Sequence, residues 1–117
     1  MQEKFEKLQE KIRDIIDLGS SAAILGWDQN TYMPKAAAET RGHQMAIINR
    51  IVHEWATSEE MGRLLEDLKP YAESLDPDSD EARMIKVAKR EYDIATRLPS
   101  DFVVEQSQVT TAAFSAW

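Results

Sequence analysis

Helical periodicity extends through most of the 117-residue chain and is interrupted at only a few points. The sequence contains four Gly and four Pro, so long stretches have no residue that would break a helix. Apolar residues recur there at steps of three and four, whereas a half-buried strand would alternate at every second residue. The pattern predicts an all-α fold of about five helices in an antiparallel helical array.

The first predicted helix runs to about Thr31, and the second runs from about Ala36 to Ala56. Gly19 is a point at which the first helix can break or bend. The residue before a proline avoids the helical conformation, so Pro34 separates the two helices. The predicted apolar stripes consist of Phe5, Leu8, Ile12, Ile15 and Ile16 in the first helix and of Met45, Ile48, Ile51, Val52 and Trp55 in the second.

Capping signals and prolines divide the rest of the chain into three shorter helices. Thr57 and Glu60 have the spacing of a capping box and predict the start of a third helix, which Pro70 would bend or end. Residues 76–80 (DPDSD) predict a turn, with Ser79 as the N-cap of the fourth helix. The predicted stripes are Met61, Leu64, Leu65 and Leu68, then Met84, Ile85, Ala88, Tyr92 and Ala95, then Phe102, Val103, Gln106, Val109, Ala113 and Trp117.

The fifth predicted helix has no stop signal. Its periodicity continues to Trp117 with no Gly, Pro or basic last turn. A natural domain seldom ends in this way, so we interpret the chain as a truncated piece of a longer domain, whether the truncation is natural or not.

The charge of the chain argues against nucleic acid as a partner. With 14 basic and 21 acidic residues the net charge is −7, and the excess lies in residues 54–81, where ten acidic residues stand against Arg63 and Lys69. Such a block repels phosphate, and we interpret it as a solvated face with an acidic loop. The chain has no cysteine, which excludes disulfides and thiol chemistry.

No segment predicts membrane insertion or secretion. No apolar run is longer than that of residues 22–25, which is far too short to span a bilayer, and the charged start of the chain is unlike a signal peptide. We therefore expect a cytoplasmic protein with no membrane partner.

The two histidines do not have the spacing of a metal site. A zinc-binding HExxH helix needs two histidines one turn apart, and at residues 53–57 (HEWAT) the second position holds Thr57. We interpret His53 as a helix-surface residue. Glu39 and His43 are interpreted as an exposed pair, because two ligands alone hold a metal poorly. No catalytic residue and no metal ligand is predicted in these 117 residues.

Residues 25–34 (LGWDQNTYMP) combine two aromatic residues, an acid and two amides at a helix end. Two interpretations remain open: Trp27 and Met33 anchor the core with Asp28 as a buried hydrogen-bond partner, or the segment lines a cleft. The candidates for a substrate cleft are Trp27, Asp28, Gln29, Tyr32 and Arg41.

The same segment resembles the N-terminal signature of the thermostable (Taq-type) zinc metallocarboxypeptidases. Three later segments match that family in the same order: residues 38–41 (AETR), 75–82 (LDPDSDEA) and 90–99 (REYDIATRLP). The resemblance covers nearly the whole chain and identifies it as the N-terminal region of such an enzyme.

This resemblance implies a large, mostly helical enzyme that removes C-terminal amino acids from peptides and is commonly a homodimer. It also implies that zinc or cobalt is held by an HExxH helix and a downstream glutamate, with the first helices overhanging a substrate groove. In the family's order these ligands lie beyond Trp117, so we expect no cofactor and no peptidase activity in the isolated chain. The alternative is a stand-alone helical interaction module that forms homo-oligomers through exposed aromatic residues.

Overall fold

The computed structural model describes residues 1–116, and within that range the chain is helical with no strand. Its elements are α1 (Gln2–Thr31), a 3-10 turn (Lys35–Ala37), α2 (Ala38–Ala56), α3 (Glu59–Ser74), α4 (Asp80–Ala95) and α5 (Ser100–Ala116). Only two residues separate α2 from α3, so the α-helices number four instead of five when these two helices are counted as one. The predicted all-α helical array is confirmed; Trp117 lies outside the described residues.

The longest helix, α1, forms the spine of the molecule. Its 30 residues extend over about 45 Å in a molecule that measures 54 × 25 × 20 Å. It is unbroken at Gly19, where the backbone has an ordinary negative φ, so the interruption considered there does not occur. The N-terminal half of α1 packs antiparallel to α3 and its C-terminal half packs antiparallel to α2.

The apolar core lies at one end of this spine, between the N-terminal half of α1, α3 and α4. Leu8 and Leu68 are fully buried at its centre. The other buried members are Phe5, Met61, Leu64, Leu65 and Ile85. The stripe predicted for α3 faces this core, as does that of α4 except for Ala95, with Met84, Ala88 and Tyr92 at its edge. Burying a side chain of this kind contributes about 1.5–3 kcal/mol, so this cluster supplies much of the stability of the fold.

Exposed ion pairs tie α1 to α3 along the rim of this core. Lys4 lies 2.8 Å from Asp67, and the two carboxylate oxygens of Glu60 lie 2.8 Å from Lys7 and 2.9 Å from Lys11. The hydrogen bond from Lys7, then that from Lys11, lowers the pKa of Glu60 to about 2. Glu60 in turn raises the pKa of Lys7.

The other end of the molecule is built differently, because small and polar side chains fill the interface of α2 and α5. Gly42 and Ala46 of α2 are buried beneath Ser107 and Thr111 of α5. The side chain of Asn49 donates a hydrogen bond of 2.8 Å to the Ser107 hydroxyl. A methyl group added to Gly42 would lie 3.2 Å from the Thr111 methyl, so the two helices approach closely at this point.

This arrangement corrects the stripes predicted for α2 and α5. Trp55 is 46% exposed, and the buried residues of α2 are Gly42, Ala46 and His53 rather than the large apolar ones. On α5, Phe102 and Val109 point away from α2. Backbones that approach this closely leave room only for small side chains, so the larger residues are displaced to the flanks.

The start of α3 also differs from the prediction. The N-cap is Ser58, whose hydroxyl accepts a 3.1 Å hydrogen bond from the Met61 N–H, whereas Thr57 bonds back to the His53 carbonyl and caps the end of α2. Glu60 does not reach back to the cap, because its carboxylate is held by two lysines of α1. At the start of α4 the predicted N-cap, Ser79, is confirmed.

Pro70 does not end α3, which continues to Ser74. A proline inside a helix removes one hydrogen bond to the carbonyl four residues earlier. Here that carbonyl belongs to Glu66, and both residues are exposed, so water can replace the lost bond. The buried leucines on the opposite face hold the helix together across this position.

Candidate functional site

The segment of residues 25–34 forms the last turn of α1 and the bend into α2. The Thr31 hydroxyl donates to the Trp27 carbonyl, and the N–H groups of Tyr32 and Met33 both donate to the Asp28 carbonyl, at 2.9 Å each. Pro34 then adopts an extended conformation and cannot continue the helix. These bonds satisfy carbonyls that a helix end would otherwise leave without partners.

Arg41 in the first turns of α2 reaches back to this helix end. Its guanidinium lies 2.8 Å from the Asp28 carboxylate and donates a 2.9 Å hydrogen bond to the Leu25 carbonyl. A further, longer contact of 3.3 Å joins it to the Gln44 side chain. The arginine side chain is only 14% exposed. The structure therefore brings Asp28 and Arg41 together, and their bonds join the end of α1 to the start of α2.

The two aromatic candidates lie on the outside of the same helix end. The exposed fractions are 68% for Trp27 and 82% for Tyr32. Neither is among the residues that line the cavity between α1, α2 and α5 or the cavity between α2 and α5. Trp27 is not a core anchor, so the interpretation of this residue as an interior one is wrong.

Gln29 faces a different direction, into an open cavity between α1, α2 and α5. We call this cavity the α1–α2–α5 cleft; its volume is about 630 Å³. The residues that line it are Gly26, Gln29, Asn30, Met45, Asn49, Val52, His53, Ala56, Ala95, Val103, Gln106, Ser107, Thr110, Thr111 and Phe114. At Gly26 an added methyl group would lie 3.8 Å from the Met45 terminal carbon, an ordinary van der Waals contact, so the close approach of Met45 does not depend on this glycine.

The polar groups of the cleft are amides, hydroxyls and one imidazole. His53 lies in its wall with 9% of its surface exposed, so the interpretation of this residue as a surface histidine is wrong. The side-chain nitrogen of Gln29 is buried and has no hydrogen-bond partner among the described residues. Such a group is unusual, because buried polar atoms are nearly always paired in folded proteins.

The sequence pattern did not point to most of this cleft. The residues that sequence reasoning missed are Asn49, His53 and the polar face of α5, which were placed on the surface or left unassigned. A usable signal was the spacing of Gly42, Ala46, Asn49 and His53, which follow each other at steps of four, three and four along one helix face. These small and polar residues share one face of α2, and several of them contact α5.

The described residues offer no ligand set for the metal that the resemblance implies for the whole enzyme. Nowhere in residues 1–116 do three or more histidine, aspartate or glutamate side chains come together closely enough to hold an ion. In the same range no helix is both long and apolar enough to cross a membrane.

Comparison with known proteins assigns the chain to a family. The model of the carboxypeptidase Taq (M32) metallopeptidases matches residues 7–117. The chain belongs to the M32 metallopeptidase family. This M32 chain is 33% identical over 113 residues to thermostable carboxypeptidase 1 of Thermus thermophilus, covering 97% of the chain and 22% of the relative.

Two other relatives give the same result. Thermostable carboxypeptidase 1 of Pyrococcus furiosus is 30% identical over 115 residues, which cover 98% of the M32 chain and 22% of that protein. Carboxypeptidase 1 of Bacillus subtilis is 24% identical over 106 residues, 91% of the chain and 21% of the relative. The chain therefore spans about one fifth of the length of these relatives. No solved structure matches it.

Proposed function

We propose that this chain forms the N-terminal helical scaffold of a metal-dependent carboxypeptidase that releases C-terminal amino acids from peptides. The M32 family match and the names of the relatives support the enzyme class. The chain spans about one fifth of those relatives, so the metal site and the catalytic groups of such an enzyme would lie in the other four fifths. We propose zinc or cobalt as that metal and no peptidase activity for the 117 residues alone.

The observation that carries this proposal is the set of large apolar side chains exposed at two places. One place is the outer face of α1 near its end, with Ile24, Trp27 and Tyr32. The other is the outward face of α5, where Phe102 and Val109 lie two turns apart. Exposed apolar surfaces of this kind mark interaction sites in soluble proteins. A large helical body packed against both faces would remove them from water.

The geometry suggests different roles, within such an enzyme, for the residues predicted to line a substrate cleft. The guanidinium of Arg41 already bonds to Asp28 and to the Leu25 carbonyl, so we propose that this pair positions the helix end. The indole of Trp27 and the phenol of Tyr32 are exposed and remain available to a peptide or to the rest of the enzyme.

The experiment mixes this chain with the Thermus relative from which the matching 113 residues have been deleted, and measures binding by sedimentation velocity. We expect a one-to-one complex. Trp27→Ser should weaken it about 10- to 100-fold, because burying a large apolar side chain contributes about 1.5–3 kcal/mol. Trp55→Ser is the matched control, since Trp55 is also exposed but lies on neither apolar face.

Two results would contradict the scaffold role. One is the absence of any complex. The other is a loss of affinity in Trp55→Ser as large as that in Trp27→Ser, which would show that the apolar face of α1 has no special part in binding.

The same exposed faces also support a second candidate, a stand-alone module that self-associates and has no enzymatic activity. In that case a second copy of the chain would cover Trp27 and the outward face of α5. Sedimentation of the chain alone over a wide range of concentrations separates the two candidates. A dimer that Trp27→Ser weakens favours the module, whereas a monomer at every concentration rules it out.

A further inference from the structure

We propose that a groove between α1 and α4 binds a primary alkylamine, whose aliphatic chain lies along the groove and whose ammonium group pairs with Glu91. We call it the α1–α4 groove; its walls are formed by residues 12–16 of α1 and residues 84–95 of α4. The proposal goes beyond the scaffold role, since every residue it needs lies in this chain. The ligand we infer is a small molecule free in solution.

The groove exists because α1 and α4 both pack on α3 and leave a furrow between them. Its floor is the Met61 side chain of α3, which is 4% exposed. On α4, Ile85 turns into the apolar core, whereas Val87 lies on the rim of the groove and is 57% exposed. Ile16 of α1 lies on the opposite rim and is 59% exposed. The apolar surface of α4 is therefore wider than the face that α3 covers.

The size and lining of the groove favour an aliphatic chain. Apart from Glu91, the lining consists of aliphatic side chains, two methionines and one tyrosine. The volume of about 420 Å³ lies within the range of small-molecule sites. Met61 and Met84 have flexible side chains, which adapt to the shape of a bound chain. An aliphatic chain placed in the groove would leave water and would cover the exposed rims at the same time, and both changes are favourable.

Glu91 decides the charge of the ligand, because no other charged residue of the described chain lines the groove. Its carboxylate takes part in none of the ion pairs found in residues 1–116. On the same helix the ammonium of Lys89 is held by Asp93, 2.9 Å away, and Lys89 is not part of the lining. An ammonium group on the ligand can donate charge-assisted hydrogen bonds to the Glu91 carboxylate. The net charge of −7 also attracts a cation and repels a ligand that carries a carboxylate.

The test is a titration of the full chain with octylammonium chloride at neutral pH, where a primary amine is protonated, and below the concentration at which the amine forms micelles. Binding is followed by NMR of the methionine methyl groups. We expect saturable shifts of the Met61 and Met84 methyls, and no shift of the Met1 and Met33 methyls, which lie outside the groove.

Three matched probes separate the contribution of the chain from that of the charge. Octanol, which is neutral, should bind about two- to fivefold more weakly than octylammonium, the usual effect of an exposed ion pair. Octanoate should bind more weakly than octanol, because its carboxylate meets Glu91. Butylammonium keeps the charge but lacks four methylene groups, so it should bind at least tenfold more weakly than octylammonium.

Two pairs of variants test the residues themselves. Glu91→Gln should abolish the preference for octylammonium over octanol and leave the binding of octanol unchanged. Glu81→Gln removes the same charge from an exposed position of α4 outside the groove, so it should keep the preference. Ile16→Ser should weaken octylammonium and octanol alike by about threefold or more, because it removes apolar surface from the rim. Ile24→Ser is its control, since Ile24 is 69% exposed on the same helix but does not line the groove.

Any of three results would overturn the proposal. The first is the absence of a saturable shift of the Met61 and Met84 methyls. The second is binding of octanoate as tight as that of octylammonium. The third is a preference for the ammonium that Glu91→Gln leaves intact. None of these results depends on peptidase activity or on a second part of the enzyme, so the outcome is independent of the scaffold proposal.

Discussion

Replacement of Arg41 by methionine tests whether the bond between α1 and α2 stabilises the fold. Methionine keeps an apolar stem of similar length but removes the guanidinium, which contacts the Asp28 carboxylate at 2.8 Å and the Leu25 carbonyl at 2.9 Å. Hydrogen bonds to a charged group contribute about 1.5–3 kcal/mol when they are buried. The arginine is 14% exposed but the aspartate is 41% exposed, so solvent screening reduces this value. We expect a loss of about 1–2 kcal/mol.

The assay is urea unfolding followed by circular dichroism, with Arg50→Met as the matched control on the same helix. Arg50 lies 3.9 Å from Glu54 and both side chains are about half exposed, so the control should lose no more than about 0.5 kcal/mol. Asp28→Asn and the double variant, which carries both Asp28→Asn and Arg41→Met, complete a double-mutant cycle. We expect a coupling energy of about 1 kcal/mol between the two positions. If the two changes add within about 0.5 kcal/mol, or if both arginine variants lose the same amount, the pair does not hold the helices together.

Three further predictions concern the other half of the fold. Leu68→Ala, at a fully buried position, should lower the free energy of unfolding by about 2–5 kcal/mol in urea titrations, and a loss below about 1 kcal/mol would show that this core is loosely packed. Ser79→Ala should cost about 1 kcal/mol in thermal unfolding because it removes the N-cap of α4, whereas Ser20→Ala on the exposed face of α1 should have little effect. The folded-state pKa of Glu60 is lowered to about 2 from 4.5, so its stabilising contribution is fully present above about pH 4.5 and is lost as the pH falls towards 2. The melting temperatures of Glu60→Gln and the original chain should therefore differ at neutral pH, converge by about pH 2, and differ less in high salt; a difference independent of pH would contradict the ion pairs with Lys7 and Lys11.

The sequence predicts well the end of the molecule that holds the apolar core, because large apolar residues recur there at helical spacing and are buried. The spacing of Met61, Leu64, Leu65 and Leu68 identifies a buried stripe, and all four are buried in the structure. The turn at residues 76–80 and the cap at Ser79 follow from local backbone chemistry that no distant contact overrides.

The other end could not be predicted by the same reasoning, because close helix packing there favours small and polar side chains. Gly42 and Ala46 carry little hydrophobic signal, and Ser107 is a polar residue that is buried with its hydroxyl bonded to Asn49. The large residues of α2 and α5, including Trp55 and Val109, follow the helical repeat without being buried. The repeat shows which residues share a face and leaves open which face meets another helix.

The cap of α3 shows how a tertiary contact changes a local prediction. Thr57 and Glu60 have the spacing of a capping box, but two lysines one turn apart on α1 hold the Glu60 carboxylate. Ser58 then takes the capping position. Only the position of α1 decides between these arrangements, and that position depends on the whole core.

The most direct test of the central claim is a peptidase assay on a chimera in which this chain replaces the 113 matching residues of the Thermus relative. Release of the C-terminal amino acid from a blocked dipeptide is measured with added zinc or cobalt, beside this chain alone and the truncated relative alone. The scaffold role predicts turnover by the chimera and none by either part. Turnover by this chain alone, or full activity of the truncated relative without it, would contradict the account.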